Sequence, residues 1–119
     1  MARKATKKKT TGSKRRLLVV LFNLKRGQSE AAYERWARTK DVPTARRLKS
    51  IDDFKVFRVD GLFGSDAKAP YRYAEVLEIN DIDRLGPDVM ASKPMKAIIA
   101  KFQAFADNPM FLIMSRFAG

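Results

Sequence analysis

Leu17 to Leu24 reads LLVVLFNL, and Phe111 to Phe117 reads FLIMSRF. Both are short β-branched and aliphatic runs of the kind that forms strands. In both, the two parities are apolar. Leu17, Val19 and Leu21 lie on one side of the first run, with Leu18, Val20, Phe22 and Leu24 on the other. In the second, Phe111, Ile113 and Phe117 stand against Met110, Leu112 and Met114. A sheet covered on one face alternates apolar and polar residues. These two strands therefore need cover on both faces, and any fold for this sequence must supply it.

The rest of the chain supplies cover for one face. Ser29 can cap a helix with Glu30 in its first turn, and Tyr33, Trp36 and Ala37 share a side. Asp41 is the next capping candidate, with Pro43 in the first turn of a second short helix carrying Val42, Ala45 and Leu48. Phe54 to Val59 and Tyr71 to Ile79 read as strands, separated by a turn between Gly61 and Pro70. DIDRLGPD reads as a loop with one helical turn. Pro94 opens the clearest helix, with Met95, Ile98, Ile99, Phe102, Phe105 and Ala106 on one stripe, and Asn108-Pro109 is expected to stop it. The order is β-α-β-β-α-β, which predicts an α+β, ferredoxin-like domain: a four-stranded antiparallel sheet with its helices on one face.

No segment remains for the second face. Burying one large aliphatic side chain is worth roughly 1.5–3 kcal/mol, so half a dozen approach ~10 kcal/mol before ordering costs. That rivals the ~5–15 kcal/mol stability of a whole domain. A second copy of the chain, sheet against sheet, is the expected solution, giving a homodimer. Space left between layers suits a small apolar ligand.

Charge divides the 119 residues unequally. Residues 1–16 hold eight Lys and Arg and no acid, against a net +12 for the whole chain. The remainder, 17–119, is only mildly basic and forms the expected domain. The first sixteen residues have no apolar period and read as a disordered basic tail, either a solubilising leader or a nucleic-acid arm through Lys7, Lys8, Lys9, Arg15 and Arg16. Cysteine and histidine are both absent, which removes disulfides, thiolate zinc sites and the commonest general base. Proton transfer falls to Asp, Glu, Tyr, Lys or water. No run approaches the ~18 apolar residues of a membrane span, and no small-x-small cleavage site follows Leu17–Phe22. The chain reads as soluble and cytoplasmic.

A four-stranded chain of this size with a two-faced sheet resembles the dimeric α+β barrel superfamily. Within it, YERWARTKDVPTARRLKSIDDFKVFRV (Tyr33–Val59) and FADNPMFL (Phe105–Leu112) are similar to the REDY-like, or HapK-type, family. The resemblance implies a dimeric barrel associated with secondary metabolism of the prodiginine pigment or aromatic polyketide kind. In EthD-like members of the wider group a histidine precedes a proline after the first helix. Here Lys40-Asp41-Val42-Pro43 stands in that region, so histidine-dependent chemistry does not carry over.

The candidate site residues each have two readings. Asp41 either caps the Pro43 helix or faces a ligand as a base. Trp36 either packs under its helix or stacks on an aromatic ligand. Arg46, beside Arg47, either solvates a helix face or grips an anion. Tyr71, Tyr73 and Glu75 share one face of a strand with Leu77 and Ile79, either looking into a barrel pocket or lying beneath the helices. In a barrel pocket Glu75 can serve as acid or base. Asn23 either points inward or ends its strand. With no cofactor or metal motif visible, any chemistry is expected to be cofactor-independent: cyclisation, condensation assistance or oxygenation. The competing readings are an RNA-recognition module, whose fold has the same strand order but whose third-strand aromatic motif is missing here, and a ligand-free structural dimer.

Overall fold

The computed structural model describes residues 14–119. Strand β1 spans Arg16–Leu24 and is followed by helix α1, Glu30–Trp36. A wide π-turn, Ala37–Asp41, joins α1 without interruption to helix α2, Val42–Ala45. Strands β2, Ile51–Arg58, and β3, Tyr73–Ile79, come next, then helices α3, Ile82–Met90, and α4, Lys93–Phe105. Strand β4, Ala106–Met114, ends the fold. The sheet order is β2-β3-β1-β4, with every neighbouring pair antiparallel. This is the α+β arrangement expected from the sequence.

Register assigns the faces. Val20 lies opposite Glu75 on β3 and Phe111 on β4, and Leu18 opposite Leu77 and Ile113. Glu75 in turn faces Val56 on β2. These residues form the row beneath the helices. There Phe22 is fully buried and packs edge-on against Tyr33 at 5.4 Å and Phe102 at 5.0 Å, and stacks on Tyr73 at 5.6 Å. The Tyr71–Ile79 row thus lies under the helices and not on the sheet's open face, and Tyr71 itself falls just before β3.

The opposite face carries Leu17, Val19 and Leu21 of β1, Ala74 and Val76 of β3, Phe57 of β2, and Met110, Leu112 and Met114 of β4. Among the described residues nothing lies over it: Met110, Leu112 and Met114 are 43%, 37% and 40% exposed. Phe57, on an edge strand, is the one aromatic in that set, so this face offers no row of rings on which bases could stack.

Several local expectations are corrected. The helical path does not break before Asp41, because Val42 N–H reaches back five residues to the Ala37 carbonyl. The cause is Pro43. A proline ring clashes with the carbonyl four residues earlier and has no N–H to donate, and a widened turn relieves both problems. Asp41 makes no capping hydrogen bond. The stretch around Leu85 is a nine-residue helix, started by Asp81, whose side chain accepts from Asp83 N–H at 3.0 Å. Helix α4 ends at Phe105, and the chain turns extended at Ala106. Asn108 and Pro109 therefore lie inside β4, where Asn108 takes a left-handed φ of 49° beside a register shift. Pro109 is tolerated because β4 is an edge strand.

At the other end, Lys14 to Arg16 belong to the fold rather than to a tail. The Lys14 carbonyl accepts from Ile82 N–H at 3.0 Å, Arg15 pairs with Asp52 at 2.8 Å, and Arg16 opens β1. Lys7, Lys8 and Lys9 lie outside the described residues.

Phe22 joins three aromatic partners across two layers, so Phe22→Ala should cost about 3–5 kcal/mol of stability. Urea unfolding measures this, and a loss below about 1 kcal/mol would show that the cluster does not hold sheet to helices.

Candidate functional site

Tyr33, Ala37, Asp41 and Ala45 are all buried, and they recur every fourth residue. On a regular helix of 3.6 residues per turn, a four-residue step drifts by about 40°. Three such steps would carry Ala45 well away from the face that buries Tyr33. The π-turn takes up part of this drift between Ala37 and Asp41. It therefore keeps an aspartate in line with the core, where a regular helix would swing it towards solvent. Such turns recur at functional positions.

Directly beneath stands Glu75 in the central strand β3. Asp41 and Glu75 are 4% and 6% exposed, and their carboxyl groups stand close enough to act on one another. The Tyr33 hydroxyl donates to Glu75 Oε2 at 3.3 Å. Burial penalises the charged form of both acids. It pushes Asp41 up to about 7, and it raises Glu75 well above the usual carboxylate range, with the neighbouring Asp41 charge adding to the effect. Both acids are thus held towards their neutral forms. Burial, with Glu75 beside it, also raises the Tyr33 hydroxyl, which stays neutral. Asp41 Oδ2 is buried and has no hydrogen-bond partner among the described residues.

The pair forms part of the wall of a cavity of about 250 Å³ between the sheet and helices α2, α3 and α4. The remaining wall is almost wholly apolar: Leu18, Val20, Leu77, Ile98, Phe102 and Phe111 among others, with Gln103 an exposed polar neighbour. An apolar cavity with a few convergent polar groups and perturbed acids fits a ligand or catalytic site.

A second, larger cleft of about 570 Å³ lies on the outer side of Tyr33 and Phe54, towards the β2 edge. Its four cations, Arg38, Arg46, Lys55 and Arg58, share two acids, Glu34 and Asp53. Glu34 accepts from Arg58 at 2.6 and 3.0 Å and from the Tyr73 hydroxyl at 2.7 Å. The Arg58 and Tyr73 hydrogen bonds hold Glu34 at about 2. Arg46 pairs with Asp53 at 3.2 Å and donates to the Phe54 carbonyl at 2.9 Å, and Lys55 also pairs with Asp53.

Of the sequence candidates, the structure brings together Asp41 and Glu75. It adds Tyr33, for which the four-residue repeat was the available signal. The others lie elsewhere. Tyr73 is buried but turns its hydroxyl to Glu34, and Arg46 is on the outer cleft. Trp36 packs on Tyr33 and Phe105 at 6.1 and 5.4 Å between ring centres. Asn23 donates to the Pro70 carbonyl and accepts from Arg72 N–H, both at 2.9 Å, fixing the approach to β3. Tyr71 lines neither cavity. Arg15 and Arg16 are engaged at the sheet's end, by Asp52 and by the Arg15 carbonyl.

Asp41 gives a pH signature. Its folded value of about 7 stands above its ordinary 3.8. Between those values the folded chain holds a proton that the unfolded chain has lost. The contribution is fully present below about pH 4 and is lost as pH rises through about 7. Asp41→Asn removes the titration, so its stability relative to the unmodified chain should rise by on the order of 2 kcal/mol between pH 5 and pH 8. Urea unfolding at the two pH values tests this, and a constant difference would mean that Asp41 titrates normally.

Comparison with known proteins places this geometry in context. The family model described as REDY-like protein HapK matches residues 16–117. No protein with a curated description matches the chain. Among solved structures, the chain is similar to HapK from Hahella chejuensis, with 24% identity over 87% of this chain and 95% of that one and a TM-score of 0.64. It is similar to SnoaB, a cofactor-independent oxygenase from Streptomyces nogalater, with 13% identity over 89% and 96% and a TM-score of 0.64. It also resembles a dimeric ferredoxin-like protein of Thermobifida fusca, with 14% identity over 86% and 91% and a TM-score of 0.64.

Proposed function

The chain belongs to the REDY-like HapK family, and from that premise we propose that it is a cofactor-independent, small-molecule-handling protein acting as a homodimer. Its ligand site is the cavity between sheet and helices. Its substrate class is an aromatic molecule of the prodiginine or polyketide kind from secondary metabolism. The observation that carries the reading is the buried Asp41–Glu75 pair in the wall of an otherwise apolar cavity. Two carboxyls in such a place weaken the fold at neutral pH, and proton handling gives them a role.

The chemistry open to the pair is proton transfer. A base that titrates near neutrality works best at neutral pH. Asp41 can take a proton from an activated carbon or heteroatom of the ligand while Glu75 keeps its own. The pair then holds two protons and can return one to a different atom. The net change is an isomerisation, a ring closure or the enolisation step of a condensation. Tyr33 holds Glu75 in position throughout.

The dimer reading rests on the apolar outer face of the sheet, where Val19 and Val76 lie opposite one another in register and Leu112 flanks them. It is supported by the dimeric Thermobifida fusca protein of the same fold. A second copy seated there buries an apolar patch that a lone chain would present to water. No helix among the described residues is long and apolar enough to cross a membrane.

Two measurements check these readings. Val19→Asp should convert a dimer into a monomer in sedimentation equilibrium, and a monomeric unmodified chain at micromolar concentration sinks the dimer. For the ligand, native mass spectra of protein gently purified from its own source should show a small adduct, absent from a Leu77→Trp variant whose cavity is filled. An adduct that survives the filling would place the ligand elsewhere.

A further inference from the structure

The polar groups in the inner cavity form a chain with a direction. The Tyr33 hydroxyl proton is committed to Glu75 Oε2 at 3.3 Å. Glu75 stands beside Asp41, and both are buried. No hydrogen-bond donor among the described residues is matched to Asp41 Oδ2. The Tyr33 donor is therefore spent inside the cluster, and Asp41 is left as an acceptor. The rest of the wall, from Leu18 and Leu77 to Ile98 and Phe102, is apolar apart from the exposed Gln103. A buried acceptor left unmatched costs its full desolvation penalty, so a ligand that supplies a donor recovers it and one that supplies another acceptor does not. The terminal torsion of an aspartate is soft, which lets Oδ2 turn onto such a donor.

Resting on the cavity reading above, we propose that the site selects a flat, apolar, uncharged molecule that delivers one N–H or O–H donor to Asp41. Size agrees with the proposal. A dry apolar cavity of about 150 Å³ takes a benzene ring, and about 250 Å³ leaves room for a fused or linked pair of small rings. The outer cleft makes a poor alternative, because its guanidinium groups already face Glu34 and Asp53.

Three probes of nearly equal shape separate the possibilities: indole, which carries an N–H, and 1-methylindole and benzofuran, which carry none. Their binding to the full-length protein is measured by calorimetry at pH 8, with Ile98 methyl shifts reporting occupancy of the cavity. Indole should bind on the order of tenfold more tightly than either analogue, the difference expected for one matched buried hydrogen bond. Asp41→Leu should abolish that preference. If Asp41→Leu does not fold, the carboxyl carbon resonance of Asp41 in the unmodified chain serves instead. It should move with indole and stay put with 1-methylindole, and equal movement overturns the proposal. Equal affinity for all three probes, with Ile98 shifted by each, overturns the donor requirement and leaves the cavity reading standing. Failure of all three to bind removes the cavity reading, and this proposal with it.

Discussion

Two carboxyl groups pressed together in an apolar interior set the terms for the rest of this fold. Both cannot ionise there, because each buried charge loses its hydration and repels the other. The arrangement survives because burial favours the neutral acids and Tyr33 donates to Glu75. It needs a strand residue aimed at the helices and a helix residue aimed at the sheet, at the same height. Register supplies the first, since Glu75 sits between Val20 and Val56 in the centre of the sheet. The π-turn before Pro43 supplies the second. A hydrophobic pair in the same place would give a more stable protein. Acids are the costlier choice, and that cost is itself an argument for chemistry.

The sheet divides its labour between its faces. Its helix side carries the aromatic cluster around Phe22 and, next to it, the cavity. Its other side is largely aliphatic across β1 and β4, with Phe57, Lys55 and Glu78 towards the β2 edge. Strand β4 joins the two, with Phe111 on the cavity wall and Met110, Leu112 and Met114 on the open face. It is also an edge strand, exposed on both sides: Phe111 and Ile113 remain 57% and 63% exposed on the helix side. The apolar character of FLIMSRF on both parities reflects this double duty.

The architecture was legible because it follows from periodicity. Strands with two apolar faces, an amphipathic helix from Lys93 and a β-α-β-β-α-β order leave few alternatives. The site was legible in its acids and obscure in its placement. Alternation along Tyr73–Ile79 shows which residues share a face. It cannot show which face the helices cover when both sides of the sheet are apolar. Asp41 before Val-Pro has the pattern of a helix cap, and only the widened turn, a backbone response to a proline ring, makes it a core residue instead. Tyr33 passed as ordinary helix packing because its hydroxyl partner is 42 residues away. Gly86 and Pro87 pointed to a loop, yet the Asp81 cap and contacts with α4 hold that stretch helical.

The same geometry bears on how a ligand enters. The pair spans two layers, so its contact depends on the spacing between the π-turn and β3. If a second copy packs on the open face, it stiffens the sheet and leaves the helices free. The cavity opens between those helices and the β4 edge, where Leu85, Val89 and Ile99 are only partly buried. Opening there costs few apolar contacts, whereas opening at the aromatic cluster would break the packing of Phe22, Tyr33 and Phe102 together. Glu75 and Tyr33 therefore sit against the densest packing of the molecule, whereas α3 and the end of β4 are less buried. Acids on such a support suit the proposed proton transfer, which needs a defined geometry.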